Sequence, residues 1–153
     1  MDPVRKPSVL ITGCTPGGIG HALALEFHAR GCHVIATARR LEVIQELEGK
    51  GLTIIPLDVT SKESVASCRA KVGELTNGRL DILVNNAGRP HVFPALDNDI
   101  EDARLTYETN VLGPMLMVQS FIDLLIPARG LIINVSSASS EVPYLFNPLV
   151  SAS

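Results

Sequence analysis

The sequence predicts an α/β fold in which a parallel sheet carries helices on both faces, a doubly wound arrangement. Two observations support this prediction. Short apolar runs alternate with amphipathic stretches of helical period along the chain. Hydrophobic residues make up 46% of the 153 residues, but aromatic residues only 4%. The core is therefore expected to consist of Val, Ile, Leu and Ala, as it does where parallel strands are buried.

The first part of the chain is predicted to form three strands and two helices in alternation. The strands are short apolar runs at Ser8–Thr12, His33–Ala38 and Leu52–Leu57. The helices are Gly18–Arg30 and Leu41–Glu48, because each has apolar residues at helical spacing and is followed by glycine.

The remaining elements continue the same alternation. A third helix is predicted to begin in a capping box, where the Thr60 hydroxyl accepts from the amide three residues later. The fourth and fifth strands are Leu80–Val84 and Leu131–Val135. Between them lies a long helical region, Asp99–Leu125, in which Pro114 is expected to mark a kink or a fresh first turn.

Charge and composition exclude several functional classes. The formal net charge is −3, so no basic surface for nucleic acid is expected. Cys14, Cys32 and Cys68 form no CxxC pair or Cys/His cluster, so we expect no metal site and interpret them as small hydrophobic residues in a reducing compartment. No linker or repeat divides residues 1–153, which predicts a single domain. The first apolar run is too short for a signal peptide, and no uninterrupted stretch reaches the roughly 18 apolar residues of a membrane span. We therefore expect a soluble, cytoplasmic protein.

A glycine-rich segment, Thr12–Gly20, lies between the first strand and the first helix. Gly13 permits a tight turn, Gly18 lets the backbone approach a pyrophosphate, and Gly20 allows the helix to pack closely on the strand. The N-terminus of the helix offers N–H groups and the positive end of its dipole to phosphates. Because this segment follows a strand and opens a helix, it predicts a dinucleotide site rather than a turn without a ligand.

The end of the second strand indicates the type of nucleotide. An NAD site has an acid about 20 residues after the glycines, whereas here the segment ends in Arg39 and Arg40. Two guanidinium groups suit a 2′-phosphate, which favours NADP(H) as the cofactor. The alternative is that both arginines are solvated charges that open the next helix.

Five segments together resemble the short-chain dehydrogenase/reductase family. They are the glycine-rich segment, Asp58-Val59, Asn85-Asn86-Ala87-Gly88, Thr109-Asn110-Val111 and Asn134-Val135-Ser136-Ser137. In detail the segments are most similar to fungal NADPH-dependent 1-acyldihydroxyacetone-phosphate reductases and hydroxysteroid-dehydrogenase-like members. The resemblance implies a Rossmann-type parallel sheet with strand order 3-2-1-4-5, and it covers only the N-terminal part of the family's fold.

The resemblance also implies roles for individual residues. Asp58 and Val59 correspond to adenine contacts, Asn110 to the family's structural and proton-relay Asn, and Ser137 to the Ser that hydrogen-bonds the substrate carbonyl. The simpler alternative is that the asparagines cap strand ends and that Ser137 forms a turn. The residues expected to bind the cofactor are Gly13, Thr15, Gly18, Ile19, Gly20, Arg39, Arg40, Asp58, Val59, Asn85, Ala87 and Gly88.

The resemblance fails at the proton donor of the family's reaction. That reaction uses a Tyr to protonate the carbonyl oxygen and a Lys four residues later to lower the pKa of the Tyr. By the family's spacing the Tyr falls at Val150 and the Lys one residue beyond Ser153. Tyr144, the nearest tyrosine, comes six residues earlier than Val150. We expect a naturally shortened family member, or alternatively a truncated one, that is not a reductase by itself.

Three functions remain open on these grounds. The first is an NADP(H)-binding protein whose ancestral reaction is the oxidoreduction of a small-molecule carbonyl or alcohol. The second is a non-redox enzyme of fungal biosynthesis, an isomerase, dehydratase or cyclase, in which the cofactor is lost or vestigial. Its candidate proton-transfer groups are Ser137, Asn110, Tyr144 and His91. The third is a non-catalytic binding partner.

A homo-oligomer is expected because no predicted element of the chain packs on two of its apolar surfaces. The fifth strand forms the edge of the sheet, and an open apolar edge favours pairing with another chain. The long helix presents further apolar side chains, which are Met115, Met117, Val118 and Phe121.

Overall fold

The sheet has five parallel strands in the order β3-β2-β1-β4-β5, which is the order that the family resemblance implies. The computed structural model describes residues 5–90 and 94–140, without the side chains of Ala95 and Ser140. Each strand is slightly shorter than predicted or matches the prediction. The strands are β1 Ser8–Ile11, β2 His33–Ala38, β3 Thr53–Pro56, β4 Ile82–Asn85 and β5 Leu131–Asn134.

Helices cover both faces of this sheet, so the doubly wound arrangement is confirmed. The segment predicted as a helix over Leu41–Glu48 divides into a 3₁₀ turn, Leu41–Ile44, and a short helix. Further 3₁₀ turns are Ala95–Asp97 and Ala138–Ser140. The helices are α1 Ile19–Ala29, α2 Gln45–Gly49, α3 Lys62–Leu75, α4 Ile100–Tyr107 and α5 Gly113–Ala128.

The core consists of two apolar layers because successive strand residues point to opposite faces of the sheet. Leu10 and Leu83 belong to the layer under α3 and α5, whereas Val9 and Val84 belong to the layer under α1 and α2. Aliphatic side chains dominate both layers, and Phe121 is the aromatic residue among the largest fully buried side chains. This composition explains how a sheet buried on both faces forms with few aromatic residues.

The predicted N-cap of α3 is wrong by one residue. The hydroxyl of Ser61, not that of Thr60, accepts a hydrogen bond from the amide of Ser64, at 3.2 Å. Thr60 instead donates from its hydroxyl to Asp58 Oδ1, at 2.7 Å. The nearby carboxylate is a stronger acceptor than a hydroxyl, so it draws Thr60 away from the helix.

The long helical region is continuous over Ile100–Ala128 but changes its winding in the middle. A π-helical turn, Glu108–Leu112, separates α4 from α5, and Pro114 lies in the first turn of α5. Proline donates no backbone N–H, and the π turn directly before it accommodates this loss in the continuous helix. The helix thus changes its winding directly before Pro114, where a kink or a fresh first turn is predicted, and Asn110 lies inside the π turn.

The helical stretch Ile100–Ala128 is long and apolar enough to cross a membrane by length and composition alone. The predicted interruption at Pro114 does not shorten it. Met117 and Phe121, expected to lie on an uncovered surface, are instead fully buried against the sheet. Core helices of globular domains can have the same length and apolar composition.

The three cysteines are unpaired thiols, in agreement with the sequence interpretation. Cys14 and Cys68 are fully buried, and Cys32 is half-buried. Burial raises the pKa of Cys14 to about 11 and that of Cys68 to about 12. Both thiols therefore stay protonated at neutral pH, and they pack as small apolar side chains.

Candidate functional site

A cleft of about 1290 Å³ runs along the carboxyl edge of the sheet. Its walls come from the glycine-rich segment, from the residues that follow β2, β3, β4 and β5, and from the π turn. Chain segments leave a parallel sheet in opposite directions on either side of β1, which opens a crevice between them, and ligands bind in such crevices. The predicted site residues that line this cleft are Gly13, Thr15, Gly18, Ile19, Arg39, Asp58, Val59, Asn85, Ala87, Gly88, Asn110 and Ser137.

The glycine-rich segment is fixed to the residues that follow β4 by the side chain of Thr12. The hydroxyl of Thr12 accepts from the amides of Asn86, at 2.9 Å, and Ala87, at 2.8 Å. Gly13 adopts φ +73°, and a Cβ there would lie 2.8 Å from Ala87 Cα. The tight turn predicted at Gly13 therefore requires glycine for its conformation and for its close contact with the neighbouring loop.

The side chain of Asn86 donates two hydrogen bonds to the glycine-rich segment. Its Nδ2 donates to the carbonyl oxygens of Thr12 and Gly13, each at 2.9 Å. A Cβ at Gly20 would lie 2.3 Å from Asn86 Nδ2 and 2.6 Å from the Gly13 carbonyl oxygen, so Gly20 lies under the segment rather than in the cleft. From the sequence, Asn86 is predicted only to cap the end of a strand. The spacing of residues does not show in which direction its side-chain amide points.

The N-terminus of α1 faces the cleft without a side-chain cap. Its N-cap is Gly18, which makes no side-chain hydrogen bond, and the first turn contains no acidic residue. Thr15, Gly18 and Ile19 are exposed and line the cleft at this point. Uncapped amides and the positive end of the helix dipole suit an anion such as a pyrophosphate.

The two arginines after β2 differ in position. Arg39 is exposed and lines the cleft, whereas Arg40 is the N-cap of the following 3₁₀ turn and is not part of the cleft wall. Of the two guanidinium groups predicted for the site, only that of Arg39 belongs to a residue that lines the cleft in the described part of the chain. Both arginines lie after the end of β2, and the chain already turns into the 3₁₀ turn at Arg40.

Asp58 and Val59 lie beside Arg39 at the end of the neighbouring strand. Asp58 Oδ1 accepts from the amide of Thr60 at 3.0 Å as well as from its hydroxyl, while Oδ2 has no partner within residues 5–90 and 94–140. Val59 is buried and packs on Gly113, where a Cβ would lie 2.9 Å from Val59 Cγ2. Asp58 Oδ2 is thus available to a ligand, whereas Val59 is packed against Gly113 and exposes little of its side chain.

Two strand-end asparagines form a pair in the middle of the cleft. Asn85 on β4 and Asn134 on β5 are register partners, and Asn85 Nδ2 donates to Asn134 Oδ1 at 2.9 Å. Asn85 is only 5% exposed, and its own Oδ1 is buried without a hydrogen-bond partner. The sequence named Asn85 as a cofactor contact but gave no signal for its pairing with Asn134, which depends on the register of two strands far apart in sequence.

The side chain of Asn110 holds the loop that follows β4. Asn110 Oδ1 accepts from the amide of Arg89 at 2.8 Å, and Nδ2 donates to the Arg89 carbonyl oxygen at 3.3 Å. The Arg89 guanidinium also pairs with Asp102 on α4, at 2.7 Å. The π turn thus places Asn110 at the cleft and uses its amide to join the loop to the helix.

Ser137 lies at the far end of the cleft, after β5. It is exposed, and its Oγ accepts from the amide of Ser139 at 3.2 Å and is 2.9 Å from Ser139 Oγ. The other predicted proton-transfer groups, His91 and Tyr144, lie outside the described residues, as does Val150. The structure therefore brings Ser137 and Asn110 to the same cleft as the residues that are expected to bind the cofactor.

This cleft lies at the carboxyl ends of the strands, where Rossmann-type sheets bind their ligands. The family profile described as short chain dehydrogenase matches residues 7–153. The chain belongs to the short-chain dehydrogenase/reductase family.

Two fungal relatives illustrate the match in sequence. The short-chain dehydrogenase srdE of Neurospora crassa is 44% identical over 153 residues, which cover 100% of this chain and 53% of that protein. The NADPH-dependent 1-acyldihydroxyacetone phosphate reductase of Schizosaccharomyces pombe is 48% identical over 145 residues, or 95% of this chain and 49% of that protein. The chain therefore spans about half the length of these relatives.

Solved structures match the fold over nearly the whole chain. A short-chain dehydrogenase from Streptomyces avermitilis gives a TM-score of 0.88 at 31% identity, covering 97% of this chain and 55% of that one. The alcohol dehydrogenase of the archaeon Thermococcus sibiricus, complexed with 5-hydroxy-NADP, gives 0.86 at 26% identity, covering 96% and 65%. The fold of the family is thus shared with this chain.

Proposed function

We propose that this chain binds NADP(H) in the cleft and is related in function to the carbonyl reductases of its family. The observation that carries the proposal is the position of Arg39, which lines the same cleft as the glycine-rich segment and Asp58. A guanidinium at the end of β2 is a phosphate ligand where an NAD site has an acid. The NADPH-dependent reductase of Schizosaccharomyces pombe and the structure complexed with 5-hydroxy-NADP support the same choice of nucleotide.

The adenosine half and the nicotinamide half of this ligand would bind at opposite ends of the cleft. Arg39 and Asp58 follow neighbouring strands, β2 and β3, and would hold the 2′-phosphate and the adenine. The pyrophosphate would lie at the N-terminus of α1, where amides and the helix dipole meet it. Asn110 and Ser137 stand beyond β4, on the side where the nicotinamide and a small-molecule substrate would meet. The cofactor, when bound, supplies the hydride of the family's reaction.

We expect the 153-residue chain by itself to turn over carbonyl substrates far more slowly than a full-length relative. Position 150, where the family's spacing puts the Tyr that protonates the carbonyl oxygen, is valine, which carries no proton to donate. General acid catalysis of this kind contributes about 10²- to 10⁴-fold to a rate. The measurement is NADPH oxidation at 340 nm with a panel of ketones and an acyl-dihydroxyacetone phosphate.

The control for this assay is the NADPH-dependent reductase of Schizosaccharomyces pombe under identical conditions. Oxidation by the 153-residue chain at a comparable rate would contradict the expectation and would point to Tyr144 or a partner subunit as the proton donor. Product formation that does not require NADPH would instead favour the non-redox alternative, an isomerase, dehydratase or cyclase that uses the same cleft. Ligand binding without any turnover would favour a binding protein.

We also propose that the chain forms a homodimer through α5. The described side chains Leu112, Met115, Ile122 and Ile126 are exposed, and they repeat at helical spacing on one side of the helix. Leu131 on the edge strand β5 is exposed as well. An exposed apolar stripe of this kind favours association with a second copy.

Light scattering at micromolar concentration is expected to give twice the mass of one chain. Ile122→Lys places a charge in the stripe without reaching the core, so it should shift the mass toward one chain. The control is Gln45→Lys, an exposed substitution on the opposite face of the sheet. A monomer mass for the unmodified chain would contradict the proposal.

The cytoplasm is the compartment that we propose for this chain. All three of its cysteines are unpaired in the structure. Unpaired thiols are maintained in a reducing compartment, whereas secreted domains of similar size commonly pair them.

A further inference from the structure

We propose that Asn134 is a ligand-binding residue whose side-chain NH₂ donates a hydrogen bond to an acceptor oxygen on the nicotinamide half of the bound dinucleotide. The inference rests on the proposed function, because it concerns the same cleft. It adds a specific contact on the nicotinamide side of the cleft. The charged residues that are expected to bind the cofactor and line the cleft, Arg39 and Asp58, lie on the other side.

The two members of the asparagine pair have different environments. Asn85 is 5% exposed, whereas Asn134 is exposed and lines the cleft. They are joined by a hydrogen bond of 2.9 Å from Asn85 Nδ2 to Asn134 Oδ1. One amide is therefore a buried support, and the other is accessible to a ligand.

Hydrogen-bond counting fixes the orientation of the pair. As observed, Asn85 leaves its buried Oδ1 and one N–H without a partner among the described residues. If both amides were flipped, Asn85 Oδ1 would accept from Asn134 and both buried N–H groups of Asn85 would lack an acceptor. Buried N–H groups without a partner are rarer in proteins than under-satisfied carbonyl oxygens, so the observed orientation is the favoured one.

This orientation determines what Asn134 offers to a ligand. Its Oδ1 is engaged by Asn85, so its NH₂ is the group left for the cleft, and that group makes no hydrogen bond within the part of the chain that the structure describes. An amide NH₂ has only donors. The matching ligand group is therefore an acceptor oxygen, such as that of a carboxamide or a ribose, rather than a donor.

The position of Asn134 assigns that oxygen to the nicotinamide half. Arg39 follows β2 and Asn134 ends β5, and β1 and β4 lie between these strands. Three strand spacings separate the two residues by about 14 Å. A dinucleotide that has its 2′-phosphate at Arg39 and its pyrophosphate at α1 therefore extends its other half toward Asn134.

Two substitutions separate ligand binding from structural support. Asn134→Leu removes both the donor and the partner of Asn85, whereas Asn134→Asp keeps an acceptor for Asn85 Nδ2 but removes the donor. We expect both variants to bind NADPH about 3- to 10-fold more weakly, which is the effect of one neutral hydrogen bond. Adenosine 2′,5′-bisphosphate, which lacks the nicotinamide half, should bind all variants within about twofold of the unmodified chain.

Calorimetric titrations of both ligands into the three chains give these affinities. In ¹H–¹⁵N spectra, the Asn134 NH₂ resonances should shift with NADPH but not with the bisphosphate. Normal NADPH affinity in Asn134→Asp would show that Asn134 only supports Asn85, and equal weakening of both ligands would show a general disturbance of the cleft. Either result overturns the inference. If the unmodified chain does not bind the bisphosphate, the proposed function fails and the inference fails with it.

Discussion

Replacing Gly20 by alanine is expected to destabilise the domain by about 2–3 kcal/mol and to weaken NADPH binding by more than about tenfold. A Cβ at this position would lie 2.6 Å from the Gly13 carbonyl oxygen and 2.3 Å from Asn86 Nδ2. Asn86 cannot move away without losing its two hydrogen bonds to the glycine-rich segment. The substitution therefore displaces the same backbone that faces the pyrophosphate.

Helix propensity acts in the opposite direction at this site. Gly20 is in the first turn of α1, where alanine would otherwise stabilise the helix by up to about 1 kcal/mol. The overlap with backbone atoms outweighs that gain. The control is Gly49→Ala at the end of α2, where a Cβ meets no atom within 4 Å. Thermal unfolding and calorimetry check both variants, and a Gly20→Ala chain as stable as the control would contradict the packing described here.

Replacing Arg39 by alanine is expected to weaken NADPH binding about tenfold and to leave NADH binding nearly unchanged. A charge-assisted hydrogen bond contributes about 1.5–3 kcal/mol, and the exposure of Arg39 places its contribution at the lower end. NADH lacks the 2′-phosphate, so it has no group for this guanidinium to bind. The ratio of the two dissociation constants is the quantity that the substitution should change.

Arg40→Ala is the matched control for this experiment. Arg40 carries the same charge and is adjacent in sequence, but it begins the 3₁₀ turn and does not line the cleft as described. Its removal should lower NADPH affinity by less than about twofold, through the loss of a distant charge. Equal effects of the two substitutions would show that general positive charge, rather than one phosphate contact, determines the preference.

Much of the fold follows from sequence pattern because each strand is a continuous apolar run and each helix has a clear period. The five strands, their parallel arrangement and the change of winding before Pro114 are recovered from these signals, whereas the order of the strands follows from the family resemblance. The exposure of α5 was harder to predict. Nearly every residue of that helix is apolar, so the sequence could not show that Met117 and Phe121 face the sheet while Met115 and Ile122 face outward.

Candidate site residues could be predicted from the sequence where the type of residue by itself determines what it can do, such as glycine in a tight turn or arginine beside a phosphate. The glycines of the turn and the arginine after β2 belong to this class. Side-chain direction was not predictable, because it depends on contacts between distant segments. Thr60 turns to Asp58 and leaves the cap to Ser61, and Asn86 turns under the glycine-rich segment. The pairing of Asn85 with Asn134 likewise requires the register of β4 and β5.

Calorimetric titration of the unmodified chain with NADPH and with NADH tests the central claim most directly. We expect NADPH to bind at one site per chain, with an affinity about tenfold higher than that of NADH. Equal affinities for the two nucleotides would contradict the assignment of Arg39 to a 2′-phosphate. An absence of binding by either nucleotide would contradict the proposal that the cleft is an NADP(H) site.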